Sequence, residues 1–205
     1  MIVEDHPLMQ RGLRVTLEAA GVEVAAVVGS GEDALARVDA AAPDLALVDL
    51  SLPGMGGVEL VRHLLAVRPA LRVLVVSRHD EALFAERAVR AGARGYLSKV
   101  EAADRLVEAV RAVEAGRLYL RDEVKDRLLL GAPLAEGDPL AALSDRELEV
   151  YERVGRGLSA REIADALAIS VKTVETYRAR IKEKLGLGSA RELLRDATRW
   201  AEGRE

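Results

Sequence analysis

The residues best suited to chemistry stand at the ends of four short apolar runs. Glu4-Asp5 follows Ile2-Val3, Asp49 follows Leu45–Val48, Ser77 follows Val73–Val76, and Ser98-Lys99 follows Tyr96-Leu97. If these runs are parallel strands in the order 2-1-3-4-5, the first and third are neighbours. Their carboxyl ends then open on the crevice where ligands bind in such sheets, and Glu4, Asp5 and Asp49 share one pocket. Three carboxylates that close repel one another and call for a cation. A hard dication with oxygen ligands, Mg2+, meets that need. Shielded by it, Asp49 can act as a nucleophile toward phosphorus and form an aspartyl-phosphate. Lys99 would set a point charge beside the phosphoryl oxygens, and Ser77 a hydroxyl hydrogen bond. A lone Asp or Ser after a strand is ordinary loop chemistry. The weight comes from all four strand ends carrying a needed group, in an order that converges.

The elements that must position these groups follow from the hydrophobic pattern. The runs Ile2–Val3, Val22–Val28, Leu45–Val48, Val73–Val76 and Tyr96–Leu97 are rich in β-branched residues and mostly continuous, as in strands covered on both faces. Between them lie helical segments. Pro7 suits a first turn, Met9, Leu13, Leu17 and Ala20 recur at helical spacing, and Gly21 stops the run. Five strand–helix units in a row predict an α/β fold, a doubly wound flavodoxin-like (βα)5 domain with a five-stranded parallel sheet. Asp122–Leu130 reads as a short helix, and Gly131-Ala132-Pro133 with Gly137-Asp138-Pro139 as a flexible linker. Beyond Ser144 no strand signal remains. Ser144-Asp-Arg-Glu147, Ser159-Ala-Arg-Glu162 and Ser189-Ala-Arg-Glu192 each have the form of a capping box, and Ser170 reads as a fourth helix start. They predict a small all-α domain.

Three stretches of the front half, Glu4-Asp5-His6-Pro7-Leu8, Leu47-Val48-Asp49-Leu50-Ser51-Leu52-Pro53-Gly54-Met55 and Gly92-Ala93-Arg94-Gly95-Tyr96-Leu97-Ser98-Lys99, together resemble the receiver domain of NarL/FixJ-type response regulators. The resemblance spans residues 1–116. It implies phosphotransfer from a sensor histidine kinase to Asp49, and Mg2+ held by Glu4, Asp5, Asp49 and the backbone carbonyl of Ser51. It also implies that Ser77 and Tyr96 turn inward together on phosphorylation. Gly56 stands where such domains commonly carry an acid or amide, and Val100 where many carry proline; neither removes a group the chemistry needs. His79, two residues after Ser77, reads as a surface histidine on a loop. His6 and His63 have no metal-ligand spacing and receive no role.

In the back half the chemistry-bearing stretch is Lys172–Lys184, with five bases and two acids. Val174, Tyr177, Ile181 and Leu185 fall on one helical face and should be core. Lys172, Glu175, Thr176, Ala179 and Lys182 lie opposite, flanked by Arg178 and Arg180. On charge alone this is an ordinary solvated helix. The sequence Leu143-Ser-Asp-Arg-Glu-Leu-Glu-Val-Tyr, with Gly157-Leu-Ser-Ala-Arg-Glu-Ile-Ala, Ile169-Ser-Val-Lys-Thr-Val-Glu-Thr-Tyr and Ile181-Lys-Glu-Lys-Leu185, resembles the LuxR-type helix-turn-helix over residues 143–200. That resemblance implies a four-helix domain whose third helix reads double-stranded DNA. Glu175, Thr176 and Ala179 then face bases, while Lys172, Thr173, Arg178, Arg180 and Lys182 are phosphate or mixed contacts. A carboxylate such as Glu175 repels phosphate but can accept from cytosine N4.

Composition bounds the alternatives. With no cysteine, disulfide frameworks and thiolate metal sites are excluded. The same lack of cysteine suits a reducing cytoplasm, and no apolar run reaches the roughly 18 residues of a membrane helix, so no membrane partner is expected. Net charge is −4, unevenly spread. From Ser144 onward 13 Lys/Arg face 12 Asp/Glu, whereas the remainder carries 17 against 22. The expected organisation is a receiver at 1–120, a linker at 121–142 and a DNA-binding domain at 143–205. The expected function is transcription control, with phosphorylation on Asp49 switching homodimerisation and DNA binding. A phosphorylation-independent DNA binder with a scaffold receiver is the alternative. A phosphohydrolase is disfavoured, because that chemistry wants a second Asp two residues after the nucleophile and Ser51 stands there.

Overall fold

A computed structural model of the chain describes residues 1–79, 81–129 and 139–202. The chain divides into two compact units, Met1–Pro133 and Leu134–Glu205. The glycine-rich segments at 131–133 and 137–138 lie outside the described residues.

The first unit alternates strands and helices: β1 (Ile2–Val3), α1 (Pro7–Ala19), β2 (Val27–Val28), α2 (Gly31–Ala41), β3 (Leu45–Val48), α3 (Gly57–Val67), β4 (Arg72–Ser77), α4 (Glu81–Arg90), β5 (Gly95–Ser98), α5 (Ala102–Glu114) and α6 (Asp122–Leu129). The strands form one parallel sheet in the order β2-β1-β3-β4-β5, the predicted winding. β2 is shorter than the run Val22–Val28 suggested. Its one neighbour among the described residues, β1, offers two residues, so pairing stops at Ile2↔Val27 and Val3↔Val28. Leu13 and Leu17 of α1 join Leu106, Val110 and Val113 of α5 over Ile2, Leu47, Leu74 and Leu97 of the sheet. This core cluster is aliphatic, with Tyr119 packed against it. After α5 the chain returns to the sheet: Tyr119 bridges Gly95 in parallel, its carbonyl accepting from the Tyr96 N–H at 2.8 Å.

The second unit is helical: a 3-10 turn at Pro139–Ala142, then α7 (Asp145–Gly155), α8 (Ala160–Leu167), α9 (Val171–Leu185) and α10 (Ala190–Glu202). Ser144/Glu147 and Ser159/Glu162 close complete capping boxes. Ser170 caps α9 by accepting from the Thr173 N–H at 3.0 Å. The third expected box is only half built. Ser189 accepts from the Glu192 N–H at 3.1 Å, but the Glu192 carboxylate takes the Gly188 N–H at 2.8 Å. The N–H one residue earlier satisfies it, so the reciprocal bond is not formed. Gly155 lets α7 and α10 touch, because a Cβ there would meet the Ala197 carbonyl at 2.5 Å.

Candidate functional site

Register brings the acids together. β1 and β3 pair Val3 with Val48, so Glu4 and Asp49 emerge side by side where the ladder ends. The Asp49 N–H donates to the Val3 carbonyl at 2.9 Å. On the other flank Ser77 pairs with Ser98, and the Lys99 N–H donates to the Ser77 carbonyl at 2.9 Å. Gly57 completes the cradle. A Cβ on it would overlap the Asp49 carbonyl and Leu50 Cα, so only glycine lets α3 begin against the backbone that carries Asp49.

Lys99 spans the pocket. Its Nζ lies 2.6 Å from Glu4 Oε2 and 2.7 Å from Asp49 Oδ2, with all three side chains buried. Asp5 stands at the mouth, its side chain 27% exposed. Three carboxylates and one ammonium leave a formal charge of −2, which a dication balances. Asp49 Oδ1 is buried with no hydrogen-bond partner among the described residues, an acceptor that costs stability unless something meets it. Ligand atoms of Glu4, Asp5, His6 and Asp49 all lie within 4.8 Å of one another. The residues therefore fit a small divalent cation. His6, which spacing alone left without a role, is part of this cluster. It is adjacent in sequence to the acids, and spacing rules written for i, i+4 pairs do not register it.

The remaining predicted residues sit around this centre. Ser77 is fully buried, and its Oγ accepts from the His79 N–H at 3.2 Å, so its own proton is available to a guest. Ser51 lies two residues after Asp49, half-buried. Tyr96 is buried in the inward position, its hydroxyl donating to the His79 carbonyl at 2.8 Å. The reading of His79 as a surface side chain is corrected: it is 5% exposed. Its ring stacks on Phe84 with centroids 4.5 Å apart, and its Nε2 hydrogen-bonds Ser51 Oγ at 3.0 Å. The signal that could have found it is Phe84, the chain's single phenylalanine, placed on the helix that follows.

The second set of residues lines α9. Val174 and Ile181 are buried, Tyr177 and Leu185 half-buried. Lys172, Glu175, Thr176, Ala179 and Arg180 are exposed, with Thr173, Arg178 and Lys182 half-buried beside them. Several of these groups already have local partners, the Thr173 hydroxyl among them, 2.8 Å from Ser170 Oγ. Glu175 pairs with Arg178 at 3.0 Å, and the Thr176 hydroxyl donates to the Lys172 carbonyl at 2.9 Å. The α8–turn–α9 segment presents one face of α9 outward, in the manner of a helix that enters a major groove.

Known proteins share both units. The family model described as "Response regulator receiver domain" matches residues 1–111, and that of "Bacterial regulatory proteins, luxR family" matches residues 141–197. The chain is 36% identical to the response regulator GacA of Pseudomonas aeruginosa over 196 residues, 94% of this chain and 92% of that one. It is 34% identical to the response regulator UvrY of Escherichia coli K12 over 202 residues, 97% and 93% of the two chains. A solved structure of the RcsB response regulator from Salmonella typhimurium superposes with a TM-score of 0.68 at 25% identity, covering 96% of this chain and 94% of that one. No helix among the described residues is long and apolar enough to cross a membrane. A receiver whose strand ends converge on a buried aspartate, joined to a LuxR-type helix-turn-helix, places the chain among the two-component response regulators: it is a DNA-binding regulator of transcription under phosphorylation control, not an enzyme.

Proposed function

We propose that Asp49 is the phosphoacceptor and that the cation pocket is filled by Mg2+ through Glu4, Asp5, Asp49 and the Ser51 carbonyl. The observation that carries this reading is the Lys99 ammonium held between Glu4 and Asp49, beside a buried Asp49 oxygen with no hydrogen-bond partner among the described residues. A carboxylate oxygen of Asp49 attacks phosphorus as the P–N bond to the histidine of a sensor kinase breaks, and the imidazole leaves with a proton. Bound Mg2+ supplies charge neutralisation for the phosphoryl oxygens. Lys99 and the Ser77 hydroxyl then hold the product. Phosphate on Asp49 draws Lys99 away from Glu4 and engages Ser77, whose Oγ meets the His79 N–H. His79 in turn receives the Tyr96 hydroxyl through its carbonyl. This chain of contacts couples the pocket to the start of α4.

The downstream reading is that this shift favours a homodimer and DNA binding in the cytoplasm. Glu175, Thr176 and Ala179 meet bases of double-stranded DNA, and Lys172, Thr173, Arg178, Arg180 and Lys182 meet phosphates or both. We read the receiver domain as 1–120 and the DNA-binding domain as 143–205, with 121–142 as the linker, although α6 of that stretch falls within the compact unit Met1–Pro133. The test treats wild type and Asp49→Asn with a small-molecule phosphodonor or beryllofluoride plus Mg2+. It follows intact mass, light scattering and DNA affinity. One phosphoryl group, a doubled mass and tighter DNA binding in wild type alone are expected. Phosphate retained by Asp49→Asn would assign the acceptor elsewhere. Equal dimerisation and binding by both untreated proteins would make the receiver a scaffold.

A further inference from the structure

His6 is turned back over the acids. It stands at the N-cap of α1 with φ −88 and ψ 113, ahead of Pro7, and its side chain makes no capping bond. Nδ1 instead lies 2.7 Å from Asp5 Oδ1 and 3.2 Å from Glu4 Oε1. The His6 backbone N–H adds a 3.2 Å bond to Glu4 Oε1, which pins the turn that aims the ring. A nitrogen facing two carboxylate oxygens needs a hydrogen or a metal ion between them.

The wider geometry favours the ion. The ligand atoms of Glu4, Asp5, His6 and Asp49 fall within 4.8 Å of one another. Opposite ligands of one small dication stand about 4.2 Å apart at bonds near 2.1 Å, so a shift of a few tenths of an ångström closes the shell. Asp49 Oδ1, buried and without a hydrogen-bond partner among the described residues, is a separate observation pointing to the same guest. Lys99 occupies the other Asp49 oxygen.

The donor set has a chemical preference. Oxygen-only sites suit Mg2+, which gains little from imidazole. Borderline first-row dications gain much, in the order manganese, iron, cobalt, nickel, copper. We propose that His6 is a further ligand of the receiver's cation pocket and that it tilts the site from Mg2+ toward first-row transition dications. This rests on the reading that the pocket holds a cation at all. The ring is 58% exposed and caps nothing, so its removal leaves the fold intact.

The test is calorimetric titration of the full chain with Mg2+ and, separately, Co2+, with the visible absorption of bound Co2+ as a second readout. Wild type, His6→Ala and Asp49→Asn are compared. We expect His6→Ala to lose about tenfold or more in Co2+ affinity, with a changed Co2+ spectrum, while its Mg2+ affinity stays within about twofold. Equal Co2+ affinity and an unchanged spectrum in His6→Ala would overturn the proposal and leave the acidic pocket standing. So would an equal fall for both ions, since that makes His6 a general support without selectivity. Wild type that binds neither ion, or Asp49→Asn that binds both as wild type does, would sink the pocket reading itself.

Discussion

In the receiver unit, the ammonium of Lys99 is 6% exposed between two carboxylates that are each 1% exposed. On α9, Lys172, Thr176 and Arg180 stand in solvent, and the ion pair beside them, Glu175–Arg178, has its carboxylate 55% exposed. Both sites hold charge, and they use it differently. Buried charge in low dielectric interacts strongly, is hardly screened and has to be balanced in place. Exposed charge is cheap to hold, is shared with counterions, and binds by releasing them. The pocket therefore depends on one or two atoms in fixed positions, whereas the helix spreads its contribution over many side chains.

That contrast can be broken or sharpened by substitution. The largest effect is expected from Asp49→Asn: complete loss of phosphoryl uptake by intact mass, with free DNA binding unchanged. Next comes Gly57→Ala. Its Cβ would run into backbone at Asp49 and Leu50, which no side-chain rotation relieves, so a loss of more than about 2 kcal/mol of receiver stability is expected in denaturant unfolding. A wild-type midpoint would show that α3 can retreat. On α9, Lys182→Ala should weaken binding to specific and random DNA alike and lower the salt slope by about 1. An unchanged slope would remove Lys182 from the phosphate contacts. Thr176→Ala should alter sequence preference by about 1 kcal/mol or more with little change on random DNA. Equal loss on both would make it a backbone contact.

The smallest effect tests charge inside the helical unit. Burial pushes the Glu147 carboxyl up, but hydrogen bonds from Lys184 and Ser144 outweigh it and hold it below the ordinary value. A depressed carboxylate stabilises the fold above its unfolded pKa, and that contribution disappears as pH falls through the folded one. The stability gap between wild type and Glu147→Gln should accordingly be present at neutral pH and close in acid. Because Lys184 is 38% exposed, the gap is expected at about 1 kcal/mol or less. A gap that is constant with pH would assign the effect to capping geometry rather than charge.

The receiver was the more legible unit because its chemistry sits at strand ends. Period and β-branching located β1, β3, β4 and β5, and the residues after Val3, Val48, Val76 and Leu97 then followed by counting. What counting missed was side-chain direction. His6 and His79 are placed by a turn and by a ring stack, and neither leaves a periodic trace. β2 was overread because Val22, Val24 and Val27 mark apolar contact, not ladder length, and β1 limits the ladder. On α9 the core face was readable from Val174 and Ile181. That Thr176 spends its hydroxyl proton on Lys172 is decided by backbone geometry that composition does not encode.

The return of residues 117–121 to the sheet covers one of its edges. β5 would otherwise be the sheet's bare margin, a row of unpaired amides able to recruit another chain. Tyr119 closes part of it with bonds to Arg94 and Tyr96, and Arg121 anchors the segment by giving both its N–H and its guanidinium to buried Glu81. At the opposite margin β2 is too short to template much. A receiver fragment ended at Gly116 would bare that margin and self-associate, whereas one ended just past Arg121 would keep its own stopper.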